Sequence, residues 1–171
     1  MRVSRHERGF SFVEILISII LVGLSITALV FASNSFTMAN GAGADLSTAE
    51  FLVEQIRELT TLLPVMDPAI TADAWTSLGP GGDESTVGSY DDVDDFDGFD
   101  SATLGAPIDA GRNLLNELSA FSQVVTVERV SQSNFDQVVA DSNASPFIRV
   151  TVRVELNDRE ITSASWIRAN Y

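Results

Sequence analysis

Residues 9–32 read GFSFVEILISIILVGLSITALVFA, and they determine how the rest of the chain is interpreted. After Gly9, residues 10–32 carry a single ionisable side chain, that of Glu14. A helix of this length would extend over roughly 35 Å, which exceeds the roughly 30 Å thickness of a bilayer's hydrocarbon core. The stretch therefore predicts a membrane-spanning helix over residues 10–32.

The charges on the two sides of this stretch are opposite in sign. Residues 1–9 contain three Arg and one Glu, whereas the rest of the chain has 7 Arg and 23 acidic residues, a net charge of −16. Because Arg and Lys are enriched on the cytoplasmic side of membrane helices, residues 1–9 are predicted to stay in the cytoplasm and the acidic part to lie outside. The acidic part is not expected to bind nucleic acid, since phosphate binding needs a basic surface.

The amino-acid composition excludes several structural and functional classes for this chain. The chain of 171 residues is long enough for one domain, and its 45% hydrophobic content excludes a disordered acidic polymer. It has no Cys and no Lys, and its one His is His6. It therefore lacks a disulfide framework and a thiolate metal site. Because its one His lies in the basic segment 1–9, the rest of the chain lacks the His that a catalytic Ser needs, and we expect a protein that is not an enzyme.

Three hypotheses account for the apolar stretch. It is a simple signal anchor, or it is a secretory signal that is cleaved near Val30-Phe31-Ala32, and neither hypothesis gives Glu14 a role. A carboxylate costs about 2.5–3.5 kcal/mol at the bilayer centre and less near the interface, so such a group usually has a partner. The third hypothesis supplies that partner.

Residues 8–14, RGFSFVE, together with the apolar helix that follows, resemble the N-terminus of the type IV prepilin and pseudopilin family. The resemblance implies that a membrane aspartyl peptidase removes the leader 1–9 by cutting between Gly9 and Phe10, and that Phe10 is then N-methylated. It also implies that Glu14 serves assembly, because its carboxylate can pair with the ammonium of a neighbouring subunit. Pairing offsets the cost of burying each charge only in the correct register.

The same resemblance implies partners and a location. The partners are the inner membrane, the prepilin peptidase/methyltransferase and other pilin or pseudopilin subunits. The subunit would cross the inner membrane once, with its N-terminus in the cytoplasm and its C-terminal head in the periplasm, before it enters a pilus or pseudopilus. Family members often close their C-terminal region with a disulfide, which this chain cannot form because it has no Cys.

The helix is predicted to continue beyond the membrane or filament core. Residues 33–63 are expected to form an amphipathic helix that enters the head, because apolar residues recur at three- and four-residue steps over 45–63. The glycines within 41–43 are expected to bend or locally melt this helix, and Pro64 is expected to end it. Residues 64–108 follow as an acidic, loop-rich region.

Residues 109–171 are predicted to form a short helix over 109–121 and then an antiparallel sheet. Three segments alternate apolar and polar residues as strands do, namely 123–130, 147–156 and 160–168. Asn157-Asp158 is typical of a hairpin turn between the last two. Together with the resemblance, these patterns predict an α+β, pilin-like fold in which the long N-terminal helix packs on a C-terminal antiparallel sheet.

Residues 90–100, YDDVDDFDGFD, are the most acidic part of the chain, with six Asp in eleven positions. One hypothesis is a solvated acidic loop that its apolar residues, spaced three apart, anchor to the head. The other is a calcium site, since clustered carboxylate oxygens suit a hard cation, although the spacing is not that of an EF-hand. The candidate ligands are Asp92, Asp94, Asp95 and Asp97.

The acidic run also resembles a segment of minor pilins of the mannose-sensitive haemagglutinin type. This resemblance favours a minor pilin-like structural subunit of a type IV pilus. A pseudopilin of a type II secretion system uses the same helix and is the alternative within the family. A membrane-anchored binding module that never polymerises is the alternative from a different class.

Overall fold

The computed structural model describes residue 9 and residues 11–71, 74–82 and 84–170. The chain forms two compact units, Met1–Gly43 and Ala44–Tyr171. Most of the predicted leader and Phe10 lie outside the described residues.

One α-helix, α1, runs over Phe12–Thr61 and contributes to both units. It is continuous through 41–43, so the expected local melting at the two glycines is absent. Each glycine weakens a helix by at most about 1 kcal/mol, and interrupting the helix would leave several backbone groups without partners. The helix ends two residues before the predicted end, at Thr61.

The second unit contains a three-stranded antiparallel sheet. Its strands are β1 (Phe121–Arg129), β2 (Phe147–Leu156) and β3 (Arg159–Ala169), in the order β1-β2-β3. Asn157 and Asp158 connect β2 to β3 with φ angles of 51° and 62°, as a two-residue type I′ hairpin turn requires. The predicted strands and the predicted turn are confirmed.

The core of this unit lies between the last part of α1 and one face of the sheet. Leu52 and Ile56 of α1 and Val150 and Val152 of β2 are completely buried. The alternation of β2 places these valines inward and its Arg and Thr residues outward, as the period-two pattern requires. The structure therefore confirms the predicted α+β, pilin-like fold with a long N-terminal helix packed on a C-terminal antiparallel sheet.

The short helix expected over 109–121 is wrong. The structure has only a three-residue 3-10 helix there, at Asn116–Leu118. At the start of this segment, Asp109 Oδ1 accepts from the backbone N–H groups of Gly111 and Asn113, both at 2.8 Å. Local bonds of this kind stabilise a turn and compete with helix formation.

Arg168 of β3 terminates α1 by hydrogen bonding. Its guanidinium donates to the carbonyl oxygens of Thr60 at 2.7 Å and Leu63 at 2.9 Å. Thr60 lies in the last turn of the helix and Leu63 lies two residues beyond its end, where carbonyl groups lack helical partners and the helix dipole favours a cation. The contact also ties the sheet to α1 within the second unit.

We expect Arg168→Ala to lower the free energy of unfolding of the full chain in detergent by about 1–3 kcal/mol, because helix-end carbonyls lose a charged donor. Arg159→Ala is the matched control, since Arg159 is exposed at the start of the same strand. It should change stability by less than about 0.5 kcal/mol. Denaturant unfolding measures both, and equal losses would contradict the capping role.

Candidate functional site

The start of α1 is a small hydrogen-bonded structure built by Ser11 and Glu14. The backbone N–H of Ser11 donates to Glu14 Oε2 at 2.7 Å, and the Ser11 hydroxyl accepts from the backbone N–H of Val13 at 3.3 Å. This arrangement is a variant of the capping box, which satisfies amides that a helix start leaves without partners. The Ser-x-x-Glu spacing of residues 11–14 is the sequence signal of a capping box. The prediction above gives Glu14 a role in assembly only and misses this capping role.

The Glu14 carboxylate keeps acceptor capacity beyond this bond. An ionised carboxylate offers about four acceptor sites, and Ser11 occupies one of them. The Glu14 side chain is also exposed. It can therefore cap its own helix and accept from the ammonium of another chain at the same time.

The helix that follows is apolar, and the hydroxyl groups between residues 12 and 32 are satisfied within it. The hydroxyls of Ser18, Ser25, Thr27 and Thr37 each donate to the carbonyl four residues earlier, at 2.7–3.0 Å. Its large apolar side chains are exposed, among them Ile19, Ile20, Leu24, Leu29 and Phe31. By length and composition, α1 is able to cross a membrane. A surface of this kind is stable in a bilayer or among other apolar helices.

Gly9 lies immediately before this structure and is exposed. A Cβ built on Gly9 would meet no atom within 4 Å. The described part of the chain therefore gives no internal packing reason for a glycine at this position.

Comparison with protein families gives one finding for this segment. Residues 4–30 match a family model described as the prokaryotic N-terminal methylation motif. This is the N-terminal motif of type IV pilins and pseudopilins, which are structural rather than enzymatic proteins.

The matched residues contain Gly9, Phe10 and Glu14, the three positions that the resemblance assigned to processing and assembly. The match ends at residue 30, and the pilin-like character of the second unit is given by its fold. Neither curated proteins nor solved structures give a match to the chain.

The acidic segment 90–100 is anchored by its apolar residues, as one of the two hypotheses predicts. The solvated character that this hypothesis also expected is wrong, because Asp92, Asp94 and Asp95 are buried. Val93 and Phe96 are completely buried, and Phe99 is 6% exposed. The ring of Phe96 contacts Tyr90 edge-on at 5.2 Å and Phe99 at 5.9 Å between centroids. The segment is therefore part of the head's core and is not a loop projecting into solvent.

The four candidate calcium ligands have separate hydrogen-bonding roles. Asp97 Oδ1 accepts from the backbone N–H of Val127 at 2.9 Å, which fixes the segment to β1. Asp94 Oδ2 accepts from the indole N–H of Trp75 at 2.9 Å. Asp92 and Asp95 accept from backbone N–H groups within the segment itself.

A different set of carboxylates has the spacing of a cation site. Glu84, Asp91 and Asp95 each place one carboxylate oxygen within 4.8 Å of the others. Only Asp95 belongs to the four residues predicted from the sequence. Calcium binding stays a prediction, and the geometry directs it to this set. Glu84 comes close to Asp91 and Asp95 because of the path of the intervening loop, and no spacing of residues in the sequence indicates that path.

Asp92 and Asp94 form a buried carboxyl pair. Asp92 is 1% exposed and Asp94 is 5% exposed. Burial, followed by the proximity of Asp94, raises the pKa of Asp92 to about 9. Burial also raises the pKa of Asp94, although the Trp75 hydrogen bond acts in the opposite direction. Asp92 Oδ2 and Asp94 Oδ1 have no other hydrogen-bond partner among the described residues, and we infer that the pair shares a proton.

Trp75 connects this pair to a buried arginine. The guanidinium of Arg129 lies 3.8 Å above the Trp75 ring, and it donates to the carbonyl oxygen of Trp75 at 3.0 Å. Arg129 is 2% exposed and also donates to the carbonyl oxygens of Asn143 and Ser145. The cluster therefore joins the acidic segment, the Trp75 loop and the loop before β2.

We expect the free energy of unfolding to fall as the pH rises from about 4 to about 9, because Asp92 titrates near 3.8 in the unfolded chain and near 9 in the folded chain. Between these values the folded chain holds a proton that the unfolded chain has released, so higher pH favours unfolding. One such group contributes at most about 1.4 kcal/mol per pH unit.

Thermal unfolding of the full chain at pH 5.5 and 8, with a chelator present, measures this dependence. Asp92→Asn should flatten it, because the amide stays neutral, and Asp136→Asn at an exposed position should leave it unchanged. The same pH dependence in the wild type and in Asp92→Asn would contradict the shared proton.

Proposed function

We propose that this chain is a minor pilin-like subunit of a type IV pilus. In this proposal the prepilin peptidase cuts between Gly9 and Phe10, Phe10 is N-methylated, and the subunit assembles through the apolar part of α1. The head would face the periplasm while the helix is held in the inner membrane. The motif match over residues 4–30 and the pilin-like fold support the general class to which this proposal belongs.

The observation that carries the assembly proposal is the position of Glu14. It is the only ionisable residue between Phe10 and Ala44, and it lies in the first turn of a helix whose apolar side chains are exposed. Cleavage after Gly9 would create an ammonium on Phe10, and Glu14 would then be the fifth residue of the mature chain. In an apolar filament core each charge needs a partner, and a neighbouring subunit offers one at a single axial stagger.

The capping box adds a second reason for a Glu at this position. Since Glu14 Oε2 accepts from the Ser11 N–H, the carboxylate is held at the start of the helix before any neighbour arrives. A pre-positioned acceptor loses less side-chain entropy when it pairs. The capping role and the pairing role are therefore compatible, and they predict different effects of substitution.

Two alternative functions differ in how well the sequence and the fold separate them from this proposal. A pseudopilin of a type II secretion system would use the same motif and the same helix, and only the likeness of residues 90–100 to minor pilins of the mannose-sensitive haemagglutinin type favours the pilus. A membrane-anchored binding module that never polymerises would gain only the helix cap from Glu14, and the neutral amide of a Gln can also supply that cap. The Glu14→Gln substitution therefore separates this second alternative from the proposal.

We expect Glu14→Gln to be processed normally and to enter filaments poorly. Its amide oxygen can still accept from the Ser11 N–H, but it lacks the charge that pairs with an ammonium. Ser18→Ala is the control, since it removes a hydroxyl one turn later without changing charge. Immunoblots of sheared filaments and of membranes measure incorporation. Wild-type incorporation of Glu14→Gln would overturn the pairing role.

We expect Gly9→Val to block removal of the leader. The described chain leaves open space around Gly9, so a Val side chain should disturb the peptidase and not the fold. Gly23→Ala is the control, because Gly23 also has no neighbour within 4 Å of a built Cβ. Intact mass spectrometry reports whether residues 1–9 are lost. Normal loss of the leader from Gly9→Val would contradict the proposed cleavage position.

A further inference from the structure

One edge of the sheet is covered by other residues of the head, and the other edge is not covered by the described residues. The edge at β1 is covered by residues 98–100, since the N–H of Gly98 donates to the Val125 carbonyl at 3.2 Å and the N–H of Val125 donates to the Phe99 carbonyl at 2.9 Å. The edge at β3 has no such cover among residues 11–71, 74–82 and 84–170. An uncovered strand edge presents backbone donors and acceptors that can pair with another chain.

The middle of β3 also lacks the features that usually block such pairing. Residues 161–167, ITSASWI, contain no charged residue and no proline. The charged residues of the strand are at its ends, at Arg159, Glu160 and Arg168. The register shift between β2 and β3 makes Ile161 the extra residue, because Val154 pairs with Thr162 and Glu155 with Glu160, so the irregularity lies at the hairpin end of this segment. Natural sheets protect an exposed edge with central charges, prolines or bulges, and this strand uses none of them in its middle.

The inner face of β3 is only partly covered. Ala164 and Trp166 are half-buried, whereas their partners on β2, Val152 and Val150, are completely buried. A groove of about 420 Å³ lies between α1 and the strand, and its lining includes Glu50, Val53, Glu54, Thr162, Ser163 and Ala164. A second groove, of about 380 Å³, lies beside the other end of β3, at Ile167, Arg168 and Ala169. The side chains of an added strand would find space at both ends.

The charge of this surface selects the kind of segment that fits. Glu50 and Glu54 line the first groove, and Glu54 is already paired with Arg57 at 2.8 Å. From Ala44 onward the chain has 7 Arg and 22 acidic residues. Arg57 lies over the Trp166 ring at 4.8 Å and Arg168 lines the second groove, so the acidic part of this edge is its Glu50 end. The net negative charge of the head repels a second copy and attracts a basic segment, whose Arg or Lys would lie at that end.

We propose that the outer edge of β3 accepts an extended, basic segment of a different protein as a fourth strand of the sheet. A small or apolar side chain of that segment would lie beside Val53 and Ala164, and an Arg or Lys would reach Glu50. This interaction is separate from assembly through the N-terminal helix. Its test involves neither Gly9 nor Glu14, so the two proposals can fail independently.

The test uses the full chain in detergent micelles and a synthetic peptide of alternating Arg and Val, about seven residues long, as the probe. The matched probe has Glu in place of each Arg. Hydrogen exchange followed by mass spectrometry reports on the amides of residues 161–167. We expect the basic peptide to slow their exchange about tenfold at saturation, and the acidic peptide to leave it unchanged.

Two variants test the charge assignment. Glu50→Gln should weaken binding of the basic peptide about threefold, because an exposed ion pair is lost. Glu58→Gln removes the same charge from an exposed position on α1 outside the groove, and it should leave binding unchanged.

Four results would overturn the proposal. They are equal protection by both peptides, no protection by the basic peptide, protection at β1 instead of β3, and protection of β3 that grows with protein concentration without peptide. The last result would identify a second copy of this chain as the occupant.

Discussion

The apolar first part of α1 must be covered by something other than its own chain, and the other functional features follow from that constraint. Its large side chains are exposed, its hydroxyl groups are satisfied within the helix, and its one carboxylate is in the first turn. A bilayer covers such a surface without fixing its position along the helix axis. A bundle of similar helices covers it equally well, and a charge pair between neighbours then selects one register.

The head depends on the same helix in another way. From Ala44 onward α1 supplies one side of the core, and its end is fixed by Arg168 of β3. The acidic segment closes the β1 edge of the sheet and contributes Phe96 to that core. With no cysteine available, packing and hydrogen bonding hold this segment. Two buried carboxyl groups, Asp92 and Asp94, are part of that arrangement, and we expect them to make the stability of the head sensitive to pH.

The elements that could be predicted are those in which a local pattern agrees with the tertiary packing. The alternation in β2 and β3 and the Asn157-Asp158 turn specify the hairpin, and the three- and four-residue spacing in α1 specifies its buried face. The segment 109–121 could not be predicted, because the side chain of Asp109 bonds its own turn and outcompetes a helix. The carboxylates that come together, Glu84, Asp91 and Asp95, depend on how a loop returns to the core. At the N-terminus, the motif positions could be predicted because the methylation motif is a short, fixed pattern of residues at the start of an apolar helix.

The central claim, that Glu14 pairs with the N-terminal amine of a neighbouring subunit, can be tested by chemical cross-linking. Since the chain has no Lys, its own amino groups are limited to the N-terminus after cleavage. Assembled filaments would be treated with an apolar carbodiimide, which joins a carboxylate directly to an amine in contact with it, and digested for mass spectrometry. The account predicts an amide between Glu14 and the N-terminal residue of an adjacent subunit. Mass spectrometry would detect it as two copies of the N-terminal peptide joined with the loss of one water. Filaments in which Glu14 stays unmodified, or is joined only to its own chain, would contradict it.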